Sequence, residues 1–360
     1  MKNRAAEAAF FDTHAKTQET WGGHGFPRAS MIGSCLTQQW FAVMEAREPR
    51  NPLYIPAPRD GMSIWNADEG TWLEPQAYEV LRKMGYVVHS IQSAAVLYRP
   101  QGADNILTAL ANEQTLAQLI TKLQYDGHQP LVTMHIDGML EHGPDDIHDT
   151  LLELKKLTMY SFSGIVQNGI KTEKPGYYAQ AQMSMLAFGL PTARLYVFAK
   201  DMSAVRWHFT VQRSKNPIAE NPSLHVEDIA ADPVAQQQGI IRAQLVLDAA
   251  VQGEPPRPDP GLSPFNIKIN RDGSEQNVFP CSYCDFFNSC VKVHTERWKI
   301  PAVPFVVEDN RTKEKQRATS SPATTAQADS LSAHLGPGED REDTHGVVLP
   351  FPVPDQLRPQ

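Results

Sequence analysis

Apolar positions along the chain recur in two rhythms, every three to four residues or every second residue, and both persist only to about Phe305. From Ser34 to Met44, Leu36, Trp40 and Val43 or Met44 predict a helix that Ser34 caps and that carries Cys35 in its first turn. Pro75 predicts the start of a second helix, with Ala77, Val80, Leu81 and Met84 on its apolar face and Gly85 as its stop, so that Glu74 stands at its mouth. Strands are expected at Tyr86–Ser90 and Ala95–Tyr98, a helix at Asn112–Gln124, and two further strands at Leu131–Leu140 and Leu151–Leu157. Pro144, Asp145 and Asp146 mark the turn between the last two. A helix over Gly176–Phe188, strands over Ala193–Lys200 and Ala204–Val211, and a long helix from about Asp228 to Val251 complete an α/β chain with a mixed sheet. Beyond Asp309 the pattern dissolves into Ser, Thr, Ala, Pro, Gly and charges, which predicts an ordered domain over residues 1–308 and a disordered tail over 309–360. One apolar, proline-rich run interrupts that tail, Val347-Val348-Leu349-Pro350-Phe351-Pro352-Val353-Pro354, and suits docking in an extended or polyproline form.

The chemistry concentrates on one predicted hairpin. In Leu152-Glu153-Leu154-Lys155 the strand alternation sends Glu153 and Lys155 to one face and the two leucines to the other. Asp137, ending the preceding apolar strand and followed by Gly138, lies beside them if the two strands pair. Two carboxylates at one point repel unless a cation neutralises them, and hard oxygens favour Mg²⁺ or Mn²⁺. Taken alone, the same residues also describe a half-buried strand with a cross-strand ion pair. Glu74 adds a third carboxylate, and Gln180, in Tyr177-Tyr178-Ala179-Gln180, places an amide near the start of a helix. His135, Glu141, His142, Asp145, Asp146, His148 and Asp149 crowd the same hairpin, but their spacing fixes no common face and reads as a solvated turn.

Composition narrows the class of protein. With 33 basic against 41 acidic side chains the formal charge is -8, which disfavours a protein that coats nucleic acid by charge alone and leaves room for an enzyme whose carboxylates hold metal. No apolar run approaches the length of a membrane span, Met1 to Lys16 lack the apolar core of a secretory signal, and four cysteines are too few for a stapled secreted scaffold. The expected compartment is therefore the reducing cytoplasm. Three of those cysteines, Cys281, Cys284 and Cys290, have the spacing C-x₂-C-x₅-C, and Cys35 is the only other. Four thiolates with none to spare match one cubane iron-sulfur cluster, a 4Fe-4S group. A local zinc site is the competing set, because His294 extends the run to C-x₂-C-x₅-C-x₃-H and would leave Cys35 as a small buried residue.

The order Glu, Asp, ExK, Gln resembles the PD-(D/E)XK nuclease superfamily, in particular the lambda-exonuclease-like (YqaJ) nucleases of phage recombination. The matching stretches are Gly70-Thr71-Trp72-Leu73-Glu74-Pro75, Ile136-Asp137-Gly138, Glu153-Leu154-Lys155 and Tyr177-Tyr178-Ala179-Gln180, about a third of the chain. His135-Ile136 stands where an apolar residue and proline usually precede the aspartate. The resemblance implies a restriction-endonuclease-like core, a mixed central sheet flanked by helices. In it Glu74, Asp137, Glu153 and the Leu154 carbonyl would bind Mg²⁺ or Mn²⁺, Lys155 would orient the attacking water, and Gln180 would support the site. The cysteines resemble those of the RecB-like and CRISPR-associated iron-sulfur nucleases of the same superfamily, where an early cysteine and three late ones form a clasp joining the two ends of the core. That branch usually has histidine at the first motif, where this chain has Glu74.

The implied activity is a DNA exonuclease acting from ends, 5' to 3', that leaves single strands for a recombinase, annealing or single-strand-binding partner. A CRISPR-adaptation-type or helicase-linked single-strand nuclease is the alternative within the superfamily, and a non-catalytic nucleic-acid-binding module the alternative outside it. Alanine at Glu153 or Lys155 is expected to abolish cleavage without unfolding the chain. Trp65, Trp72, Tyr177 and Tyr178 flank the motifs as stacking platforms or core, Arg28 and Ser34 are candidates for a terminal phosphate, and Lys155, Lys156, Lys171 and Lys174 for a basic track.

Overall fold

The computed structural model describes residues 24–56, 73–90, 93–111, 115–199, 224–257, 281 and 284–298, together with three short strands at 266–269, 275–277 and 305–306. The expected strand Ala204–Val211, Trp65, Trp72 and the tail with its proline-rich end lie outside the described residues.

A 3₁₀ turn at Ala29–Met31 leads into helix α1 (Leu36–Arg47), which has Cys35, rather than Ser34, as its N-cap and buries Trp40, Phe41, Val43 and Met44. Helix α2 is described over residues 73–83 and carries Glu74 and Pro75. Its Ala77, Tyr78 and Leu81 are buried, whereas Val80 and Met84, expected on the same face, are each more than half exposed. Strands β1 (Val87–Ser90), β2 (Ala94–Arg99) and β3 (Leu107–Leu110) follow, the last not signalled by its pattern. Helix α3 (Leu116–Tyr125) begins later than expected because Thr115 and Gln118 form a reciprocal capping box.

The apolar run expected as one strand from Leu131 to Leu140 is divided. Strand β4 (Gln129–His135) pairs with β2 in a three-stranded antiparallel sheet, while β5 (Gly138–His142) pairs with β1 and with β6 (His148–Leu157) in a five-stranded one. Ile136 and Asp137 carry the chain from one sheet to the other. Gly138 permits the crossing, since a Cβ there would come within 3.2 Å of the His89 carbonyl oxygen and 3.4 Å of Leu152.

Helices α4 (Met159–Asn168), α5 (Ile170–Glu173) and α6 (Pro175–Phe188) link β6 to strand β7 (Thr192–Ala199), and β8 (Leu224–Ala230) completes the main sheet in the order β1-β5-β6-β7-β8. Only β6 and β7 run parallel; the other neighbours are antiparallel. Asp228 to Ala230 thus belong to β8, and the long helix, α7 (Pro233–Gln252), begins after its cap Asp232. Strands β9 (Asn266–Ile269) and β10 (Glu275–Asn277), helix α8 (Phe287–Lys292) and strand β11 (Phe305–Val306) close the chain order, the strands forming a small third sheet.

The two faces of the main sheet are covered differently. Leu151, Ala193, Leu195 and Val197 pack with α6, α7 and the second sheet in the largest core cluster. Leu140, Leu152, Leu154 and Tyr196 face the other way, toward Ala77, Tyr78 and Leu81 of α2. A third cluster joins Trp40 and Phe41 of α1 to Val246 of α7 and to Phe286 and Val293 beside α8.

Candidate active site

Asp137, Glu153, Lys155 and Gln180 form one hydrogen-bonded centre. Strand alternation turns Glu153 and Lys155 away from the leucine face, and there α6 brings Gln180 against them. Lys155 Nζ forms an ion pair with Glu153 Oε1, and Gln180 Nε2 donates to the same oxygen at 2.9 Å. The Leu154 amide donates to Asp137 Oδ2 at 2.7 Å, which ties the turn between the two sheets to β6. Lys155 Nζ also lies 5.4 Å above the ring of Tyr177, a cation–π contact that limits where the ammonium can point.

Glu74 approaches from α2, the helix on the opposite face. Tyr78, one turn further along, donates its hydroxyl to the Asp137 carbonyl at 2.6 Å and also hydrogen-bonds the Glu74 carboxylate. Burial, then the charge of Asp137, push Glu74 up to about 7. Glu153 is completely buried, and that burial raises its carboxyl pKa; Lys155 works against the rise while Asp137 and Glu74 add to it. Burial opposes the charge of Lys155, but the carboxylates of Glu153 and Asp137 outweigh it and hold the ammonium above its ordinary range.

Among the described residues, no group of three or more His, Cys, Asp or Glu side chains is arranged to hold a metal ion. Each carboxylate has a partner of its own: Tyr78 beside Glu74, the Leu154 amide on Asp137 Oδ2, and Lys155 with Gln180 on Glu153 Oε1. The donors themselves suit a divalent cation. They are hard oxygens that repel one another, and Glu153 Oε2 is buried with no hydrogen-bond partner.

Further residues that no motif indicated brace this centre. Gln182, fully buried on α6, donates to the Ala230 carbonyl at 2.9 Å and accepts from the Asp232 amide at 2.7 Å, fastening the start of α7 to the helix that carries Gln180. Asp232 accepts from the Val234 and Ala235 amides, from Tyr178 at 2.9 Å and from Lys171 at 3.1 Å. Arg194 on β7 makes a two-pronged contact to Asp228 at 2.6 Å and reaches Asp145. The partners of Asp232 come from α5, α6 and α7, and those of Arg194 from β8 and the hairpin turn, and they leave no local trace in sequence.

Other expectations are redistributed. Lys155 is buried and paired and so does not belong to an open basic track, while Lys171, bound to Asp232 and stacked over Tyr178, stays exposed. Within the hairpin, Glu141 pairs with His89 and Asp145 with Arg194, while Asp146 and Asp149 take positive φ as turn residues do. Arg28 lines a polar cavity of about 750 Å³ with His24, Ser30, His135 and Gln180, so this cavity opens onto the centre. Ser34 is elsewhere: its carbonyl accepts from Gln39 and Arg242.

Cys35, Cys281, Cys284 and Cys290 line one cavity of about 340 Å³, completed by Gln38, Phe41 and Phe287. Burial raises the last three thiols, Cys284 to about 11, and the charges of neighbouring cysteines raise each of them further. His294 does not line this cavity; it is buried edge-on to Trp298 at 4.7 Å. The thiols converge but, like the carboxylates, do not form a ligand set as they stand.

No protein-family model matches the chain, and no curated protein matches it in sequence. Among solved structures it is similar to an alkaline exonuclease from Laribacter hongkongensis, at 14% identity and a TM-score of 0.37 over 64% of this chain and 89% of that one. It is also similar to a phage-related exonuclease from Haemophilus somnus 129PT, at 13% identity and a TM-score of 0.35 over 63% of this chain and 96% of that one. A third such structure is SSO0001, at 8% identity and a TM-score of 0.35 over 79% and 95%.

Proposed function

We propose that the chain is a metal-dependent DNA exonuclease of the PD-(D/E)XK superfamily that hydrolyses phosphodiester bonds at DNA ends, 5' to 3'. The observation that carries the reading is the buried Glu153–Lys155 pair with one orphaned carboxylate oxygen, braced by Gln180 and set beside an Asp137 anchored to the intervening residue. A purely structural ion pair gains nothing from leaving Glu153 Oε2 buried and unsatisfied, an arrangement that costs on the order of 1 to 3 kcal/mol.

Glu74, Asp137, Glu153 and the Leu154 carbonyl would hold Mg²⁺ or Mn²⁺, which when bound lowers the pKa of water and stabilises charge on the leaving oxygen. Lys155 keeps an ammonium at the reacting phosphate, fixed by Tyr177 from one side and Glu153 from the other. Gln180 holds the inner oxygen of Glu153 and at the same time lines the cavity of Arg28 and Ser30, where a terminal phosphate of the DNA would be received. The single strands produced would pass to a recombinase, annealing or single-strand-binding protein.

The four-cysteine cavity supports a 4Fe-4S clasp between α1 and the segment around α8, in preference to the local zinc set with His294. It also favours the second reading, a helicase-linked or CRISPR-adaptation-type nuclease that trims single strands, because that branch carries such a clasp. The test is anaerobic purification with iron and zinc quantification, followed by digestion of end-labelled blunt duplex and of single strands with Mg²⁺ or with EDTA. Iron with Mg²⁺-dependent loss of the 5' label from duplex is expected. Preference for single strands would select the second reading, and no cleavage of either would refute the enzyme.

A further inference from the structure

Among the described residues, the outer face of β7 and β8 is only partly covered. Helix α2 packs over β5, β6 and Tyr196 of β7, and beside it runs an apolar groove of about 1160 Å³. Its floor is Tyr196 and Phe198 of β7 with Leu224 and Val226 of β8, and its wall is the outer side of α2, including Val80 and Met84. Val80 and Met84 on the α2 side and Val226 of β8 are 55%, 54% and 41% exposed, apolar surface left facing the groove. Arg194, fixed by Asp228 and Asp145, closes one end together with Tyr86.

We propose that the groove receives the chain's own segment Val347–Pro354. Three aromatic rings, Tyr86, Tyr196 and Phe198, line it, and aromatic-lined grooves are what polyproline segments dock into. The run Leu349-Pro350-Phe351-Pro352-Val353-Pro354 alternates apolar residues with proline, and no other apolar run of its length occurs after Val306. The lengths agree: six residues of polyproline helix extend roughly 19 Å, and the eleven residues of α2 roughly 16 Å. Position also favours the same chain over a second copy. The forty intervening residues, 307–346, are mostly small, polar or charged, and a coil of that length would span about 35 Å. That reaches across the body and holds the segment at an effective concentration in the millimolar range. The inference stands apart from the nuclease reading, although the helix that walls the groove is the one that bears Glu74.

The test uses the full-length protein with the photocrosslinker p-benzoylphenylalanine in place of Phe351. Irradiation is expected to join position 351 to residues 76–84, 196–198 or 224–226 of the same molecule, independently of protein concentration, and Val226→Asp should reduce that product roughly tenfold, as loss of one buried apolar contact would. A product between two chains, products scattered over the body, or none at all would each overturn the proposal. Oxidative footprinting gives a second readout that needs no crosslinker. Met84 should oxidise several-fold faster in the Phe351→Asp variant than in the wild type, and equal rates would refute the docking.

Discussion

Lys155→Ala is the perturbation whose size the structure sets most closely. The side chains of Lys155 and Glu153 are 15% and 0% exposed, so this is a buried pair, and removing the cation leaves a carboxylate enclosed beside the charges of Asp137 and Glu74. An exposed pair would contribute about 0 to 1 kcal/mol, whereas breaking a buried one from one side costs about 3 to 5 kcal/mol. The burial of the pair thus predicts, against the expectation that alanine here spares the fold, that Lys155 supports the structure as well as the chemistry. Urea unfolding followed through the buried Trp40 is the assay. With a slope near the upper end of about 1 to 3 kcal/mol per molar, the midpoint should fall by roughly 1 to 1.7 M. The double change Lys155→Met with Glu153→Leu removes both charges and fills the same space, and should recover most of that loss while remaining unable to cleave DNA. A Lys155→Ala midpoint equal to the wild type would refute the reasoning, because it would mean that the pair is not enclosed.

Three further outcomes follow from single contacts. Tyr78→Phe deletes the bond to the Asp137 carbonyl and the one to Glu74, so it should cost about 1 kcal/mol of stability and raise the Mg²⁺ concentration needed for half-maximal cleavage; an unchanged Mg²⁺ requirement would deny Tyr78 its positioning role. Gly33→Ala puts a methyl group 2.5 Å from the Gly176 Cα, backbone against backbone, and should cost about 1 to 3 kcal/mol and lower the melting temperature by several degrees; a melting temperature matching the wild type would show that the turn yields without strain. The Ala235 amide, Tyr178 and Lys171 hold the Asp232 carboxyl down to about 2, below its unfolded value, so its contribution is complete above about pH 4 and is lost as the pH falls toward 2. Asp232→Asn should flatten the fall of the urea midpoint in that acid window, and an identical pH profile would exclude the group as its cause.

Most of the architecture was legible where one rhythm ran unbroken. The β6 pattern and the α6 pattern placed Glu153, Lys155 and Gln180 on their elements, and the hairpin turn at Pro144–Asp146 set Asp137 near them. What escaped the sequence was decided by tertiary partners. The run from Leu131 to Leu140 carries Asp137-Gly138 where the chain passes from one sheet to the other, but that pair equally suits the end of one strand in a single hairpin, so the change of partner sheet is set by tertiary pairing. Val80 and Met84 carry a core-like pattern yet face the groove, since α2 is narrower than the sheet it covers. Thr115 delayed α3 through a capping box that was present in the sequence as Thr-x-x-Gln. The network of Gln182, Asp232 and Arg194 depends on residues 34 to 61 positions apart, beyond the reach of local pattern. The four cysteines were grouped by count and spacing, and their common cavity is consistent with that grouping.

The central claim is that Glu74, Asp137 and Glu153 together take up one divalent cation. Titration of the full-length protein with Mn²⁺, followed by electron paramagnetic resonance of the free ion, measures this without reference to cleavage. The wild type should bind Mn²⁺, and the Asp137→Asn, Glu74→Gln double variant should bind it at least ~tenfold more weakly, the equivalent of about 1.4 kcal/mol. Equal binding by both proteins, or none by the wild type, would contradict the account.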